Sequence, residues 1–107
     1  MATRTSLLGK VVPPAGPAVT LYTTPANYTA IWKSLWVFNA AAVADIIQVF
    51  ISDQVVVAVW LYYNVSVPSF GRLEWNGWIV VPAASKIAVV STQGNTQFWA
   101  SGAILPG

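Results

Sequence analysis

Three carboxylates and six tryptophans are the residues of this 107-residue chain with chemistry to offer. The acids are Asp45, Asp53 and Glu74. Asp45 and Asp53 flank a short β-branched segment and can meet at one sheet edge, and a carboxylate pair is the minimum for glycoside hydrolysis. The simpler reading, taken here, makes both of them solvated loop residues. Glu74 alternates with Arg72, and with Lys86 as a cross-strand partner the group reads as a solvent-facing charge patch. No histidine is present, so there is no imidazole base, no Ser–His dyad and no histidine metal site. No cysteine is present either, which removes thiolate metal sites and any disulfide framework. Three unclustered carboxylates make no calcium loop. The expectation is a protein that is not an enzyme and uses no cofactor or metal.

The tryptophans are Trp32, Trp36, Trp60, Trp75, Trp78 and Trp99. Two readings compete. In one they fill the core and the contacts between subunits, since aromatic residues are enriched at protein interfaces. In the other, Trp75 and Trp78, with Tyr62 or Tyr63 nearby, form an exposed platform that stacks on sugar rings. The first is the leading expectation and the second its alternative. Two glycosylation sequons, Asn27-Tyr28-Thr29 and Asn64-Val65-Ser66, matter only in a eukaryotic secretory pathway and are read as chance.

The elements that must position these side chains are strands. Residues 1–18 read as an extended arm, because Pro13, Pro14, Gly16 and Pro17 resist helix and central strand. Residues 19–107 read as a single domain. Strands are expected at Thr20–Thr23, Thr29–Asn39, Ile46–Ile51, Val55–Val67, Arg72–Trp75, Trp78–Val81, Lys86–Thr92 and Thr96–Ile104. Turn signals separate them at 24–27, 52–54, 82–85 and 93–95, and Asn76-Gly77 carries the strongest hairpin signal. The expected fold is all-β, an antiparallel β-sandwich or jelly roll of about seven or eight strands. One strand poses a question. With strict alternation, Tyr28, Ala30, Trp32, Trp36 and Phe38 share one face, while Thr29, Ile31, Lys33, Leu35 and Val37 share the other. Both faces are then apolar, and something must cover the second.

Composition suggests what. Apolar residues make up 56% of the chain and charged residues 7%, against about 25% charged in an ordinary soluble domain. A folded monomer of this mass exposes roughly 5,800 Å², more than eight charged side chains can dominate. The second face is therefore expected to lie against a neighbouring chain. The net charge of +2 comes from scattered residues, with no basic stripe for nucleic acid. The longest apolar run, Val55–Tyr63, is far short of the ~20 residues a spanning helix needs, and no membrane partner is expected. The N-terminal apolar stretch is too short for an export signal.

The segment LYTTPANYTAIWKSLWVFN, residues 21–39, resembles the opening of small β-sandwich proteins encoded among the structural genes of tailed bacteriophages. Leu21, Tyr22, Thr23, Pro25, Ala26, Thr29, Ala30, Lys33, Ser34 and Asn39 carry the match. GWIVVPAASKIAVVST and FWASGAIL are similar to later strands of such proteins, with Ser101-Gly102 in the corresponding place. The family often has Gly-Asp where Ala84-Ser85 stands, and SDQVVVAVWLYYNV is more hydrophobic than its counterpart there. The resemblance spans about residues 20–104 and implies a virion structural role, in the tail tip or baseplate or on the capsid surface, with no catalytic residues to transfer. The expectation is a virion-located homo-oligomer, a trimer, that contacts itself and other virion proteins. Its subunit interface would use Leu7, Leu8, Val11, Val12, Trp32, Trp36, Trp60 and Tyr62. The alternative is recognition of a host-surface glycan through Trp75 and Trp78.

Overall fold

A computed structural model describes residues 6–52 and 57–106 of the chain. Eight strands are present among them and no helix: β1 (Ser6–Val11), β2 (Val19–Thr23), β3 (Tyr28–Asn39), β4 (Asp45–Ser52), β5 (Val57–Val67), β6 (Arg72–Val81), β7 (Lys86–Ser91) and β8 (Thr96–Pro106). They form two four-stranded sheets, ordered β1-β8-β3-β6 and β2-β7-β4-β5. Every strand pair is antiparallel. First pairs with eighth, second with seventh, third with sixth and fourth with fifth. That is a long antiparallel hairpin rolled up on itself, the jelly-roll form of the sandwich.

The turns follow from residues that tolerate or impose special backbone angles. Asn27 and Ala84 adopt positive φ in the 24–27 and 82–85 turns, and Gly94 does so between β7 and β8. The two former turns are tied together. Thr24 N–H donates to Ser85 C=O at 2.9 Å, and Ala84 N–H donates to Thr24 C=O at 3.0 Å. At the other end of the sandwich, the buried Asn39 amide donates to the carbonyls of Val43, Val67 and Pro68, and its oxygen accepts from Ala41 N–H. One side chain thus holds the β3–β4 and β5–β6 connections in place.

The core lies between the sheets. Trp32, Leu35, Val37, Phe98 and Ala100 come from one side, and Ile47, Val49, Ile51, Ile87 and Val89 from the other. The exposed area is 5821 Å², the value expected of a lone globular chain of this mass.

Four expectations need correction. First, β3 does not alternate strictly. It carries a bulge at Lys33, where Trp32 pairs with Gly102 and Ser34 already pairs with Ser101. The bulge shifts the phase, so Ala30, Trp32, Leu35, Val37 and Asn39 are buried inward while Trp36 and Phe38 face out. Second, Asn76-Gly77 is not a hairpin turn. β6 runs through it, with an irregularity opposite the β3 bulge. A Cβ on Gly77 would fall 2.5 Å from the Trp75 ring, so glycine serves a close packing there instead of a positive φ. Third, part of the arm is sheet: Ser6–Val11 pairs along β8, with Leu8 and Val11 packed on the core. Residues 1–5 lie outside the described residues, as do Asp53 and the expected strand start at 55–56. Fourth, Asp45 is not a solvated loop residue but is buried at the start of β4.

Candidate functional site

Asp45 is the one buried ionisable acid among the described residues, and its surroundings are structural. Its carboxylate accepts hydrogen bonds from the Ser91 and Thr96 hydroxyls and from Gln93 N–H at 3.0 Å. Burial alone would raise its pKa. The hydrogen bonds from Ser91, Thr96 and the backbone amides of Gln93 and Thr92 outweigh it and hold the carboxyl below its ordinary value. Asp45 thereby anchors the β7–β8 turn to the start of β4. Glu74 stands opposite Trp36, not Lys86, which belongs to the other sheet. No group of three metal-ligating side chains occurs among the described residues.

The surface chemistry is aromatic, and the two sheets differ in what accompanies it. On the outside of β1-β8-β3-β6, the register sets Lys10, Trp99, Trp36 and Glu74 in one cross-strand row. Gln97, Phe38 and Arg72 make the next row. Partners across antiparallel strands share a face, so three aromatic rings are interleaved with an amide, two cations and a carboxylate. Trp36 is 53% exposed and Trp99 44%. The Lys10 ammonium sits 5.1 Å from the centre of the Trp99 ring, a cation–π contact. Trp36, Phe38, Arg72, Gln97 and Trp99 line a groove of about 250 Å³. Lys10, Val11, Val12, Gln97 and Trp99 line an adjoining one of about 340 Å³.

The outside of β2-β7-β4-β5 is different. Phe50 and Trp60 are opposite each other, with ring centres 4.8 Å apart, and Tyr63 meets Trp60 edge-on at the same distance. Ile46 is exposed on this face, and Gln48 donates to Asn64 at 2.7 Å. Among the described residues, Lys86 at its margin is the sole charge.

The residues expected at a subunit interface are therefore dispersed. Trp32 is fully buried, its indole N–H donating to Ser34 C=O at 2.9 Å. It has no surface to give to another chain. Leu8, Val11 and Tyr62 are partly buried against the core. Leu7 and Val12 are exposed, Trp36 faces out from one sheet and Trp60 from the other. The expected sugar platform is also split: Trp75 packs at a tilt against Trp32 with ring centres 5.0 Å apart, while Trp78 is 68% exposed. Nothing in the sequence groups Phe38, Trp99, Arg72, Gln97 and Lys10, because only the β1–β8–β3–β6 register brings them together.

Comparison with known protein families, curated proteins and solved structures gives no match to this chain.

Proposed function

We propose that the protein is a non-enzymatic structural subunit of a virion that assembles as a homo-oligomer through the outer face of β2-β7-β4-β5. The observation that carries this reading is that face itself: the exposed Trp60–Tyr63 ring pair, backed by the buried Phe50, and Ile46, with Lys86 as its one charge among the described residues. Interface cores are depleted of charge and enriched in tryptophan and tyrosine. An interface of about 1,600 Å² removes apolar surface worth about 25 cal/mol per Å², and association costs cancel much of that gross gain. β5 is an edge strand, and its register against β4 slips at three places. Bulges of this kind discourage open-ended strand addition, which favours closure through the face over growth through the edge.

The virion assignment rests on the motif resemblance of residues 21–39. The jelly roll agrees with it by analogy only, since that fold hosts viral capsid domains and lectins alike. Light scattering on the eluting protein across the micromolar range tests assembly. A defined multiple of the 11.5 kDa chain is expected, and a monomer at every concentration overturns the reading. Detection of the chain in purified phage particles tests the location.

A further inference from the structure

The groove on the opposite sheet has the composition of a ligand site and not of a subunit contact. Its aromatic rings are exposed, but each has a polar or charged cross-strand neighbour: Lys10 beside Trp99, Glu74 beside Trp36, Arg72 and Gln97 beside Phe38. A protein interface core would exclude those charges. A groove with apolar walls and a few fixed polar groups is how small ligands are held. We infer that this groove binds an acidic glycan, with a pyranose ring lying on Trp36, Trp99 under its Lys10 cap walling the groove beside it, and an anionic substituent held by Arg72.

Three features specify that occupant. The exposed Trp36 indole offers flat apolar area at low conformational cost, which suits the C–H face of a sugar ring. The Gln97 amide and the Arg72 guanidinium are planar groups with several donors, suited to hydroxyl pairs and, for arginine, to a bidentate carboxylate, sulfate or phosphate. Charge at the groove is two cations, Lys10 and Arg72, against one acid, Glu74. The excess favours an anion, and two cations are too few to track a nucleic-acid backbone. The two grooves share Gln97 and Trp99, so the site is continuous and accommodates more than one sugar unit. It lies on the sheet not used for the proposed assembly and stands or falls separately from it.

The test is an array of uronate-, sialate-, sulfate- and phosphate-bearing oligosaccharides beside their neutral parents, followed by tryptophan-fluorescence titration of the hits with the full chain. At least one acidic class is expected to bind about tenfold or more tighter than its neutral parent, a difference of one charge-assisted pair. Arg72→Gln should erase that preference. Trp36→Ala and Trp99→Ala should each weaken binding about tenfold or more, while Trp78→Ala, outside the groove, should leave it unchanged. Circular dichroism establishes that each variant is folded. Four outcomes overturn the inference: no binding across the array; equal binding of acid and neutral forms; oligothymidylate binding as tightly as the glycan; or loss of the oligomer in Trp36→Ala without any saccharide binding.

Discussion

Trp32 and Trp36 stand four residues apart in one strand and point to opposite faces of it. A period of two would put them on the same face. The extra residue at Lys33 reverses the phase, so Trp32 joins the core and Trp36 joins the solvent-facing groove. The reversal answers the question posed by an apparently two-sided apolar strand. Its inner residues are covered by the second sheet, while Trp36 and Phe38, with Tyr28 at the start of the strand, remain exposed and Ile31 is buried on the outer side.

The two indoles should therefore respond differently to truncation. Trp32→Ala is expected to cost about 3–5 kcal/mol, since it opens a large cavity in a fully buried site. Trp36→Ala should cost less than about 1 kcal/mol, as for exposed positions generally. Urea unfolding of both variants measures the difference, and similar losses would contradict the phase reversal.

Much of this fold is legible in sequence, and the exceptions share a cause. Strand positions and most turns are marked locally, by Pro25-Ala26-Asn27, by Pro82 to Ser85 and by Gly94 between β-branched runs. The Lys33 bulge is not marked, because it arises from pairing with β8, a strand more than sixty residues away. The same holds for Asn76-Gly77, where the local hairpin preference yields to the long β3–β6 pairing and to packing against Trp75. Asp45 resembles any loop acid until Ser91, Gln93 and Thr96 are brought to it. The aromatic groove is hidden for the same reason, since it is a property of register and not of any one segment.

Gly102 occupies the strand position facing the bulge. A Cβ there would lie 1.9 Å from the Ile31 carbonyl oxygen, a backbone atom that cannot rotate aside. Gly102→Ala is expected to destabilise the protein by about 2–3 kcal/mol through overpacking. A melting temperature equal to that of the unchanged protein would refute the close approach.

Asp45 predicts an acid limb in stability. Its folded pKa lies below the ordinary value of 3.8, so the unfolded chain takes up the proton first as pH falls. The contribution is complete above the unfolded pKa and is lost as pH drops through the folded one. Melting temperature should hold steady from neutral pH down to about pH 5 and then fall below about pH 4. Asp45→Asn should flatten that fall and lower stability at neutral pH by about 1–3 kcal/mol, because the amide puts an NH2 donor where one carboxylate oxygen accepted and cannot serve Ser91, Thr96 and Gln93 together. An unchanged acid limb in Asp45→Asn would show that another group is responsible.

The Tyr22 hydroxyl is buried without a hydrogen-bond partner. Burial raises its pKa and outweighs the opposing effect of Thr24, whose own hydroxyl donates to Val81 C=O at 3.3 Å. Tyr22→Phe removes an unsatisfied polar atom and keeps the ring. It is expected to be neutral or stabilising by up to about 1 kcal/mol, by calorimetry. A clear loss would mean the hydroxyl has a partner in solution.

Sedimentation velocity of Tyr63→Lys beside the unchanged protein probes assembly most directly. Tyr63 is 62% exposed on the charge-poor face, so a lysine there is compatible with the folded subunit but not with a buried contact. The expected result is an oligomer for the unchanged chain and a folded monomer for Tyr63→Lys, while Trp78→Lys on the other sheet still assembles. An oligomer that survives Tyr63→Lys intact would contradict assembly through this face.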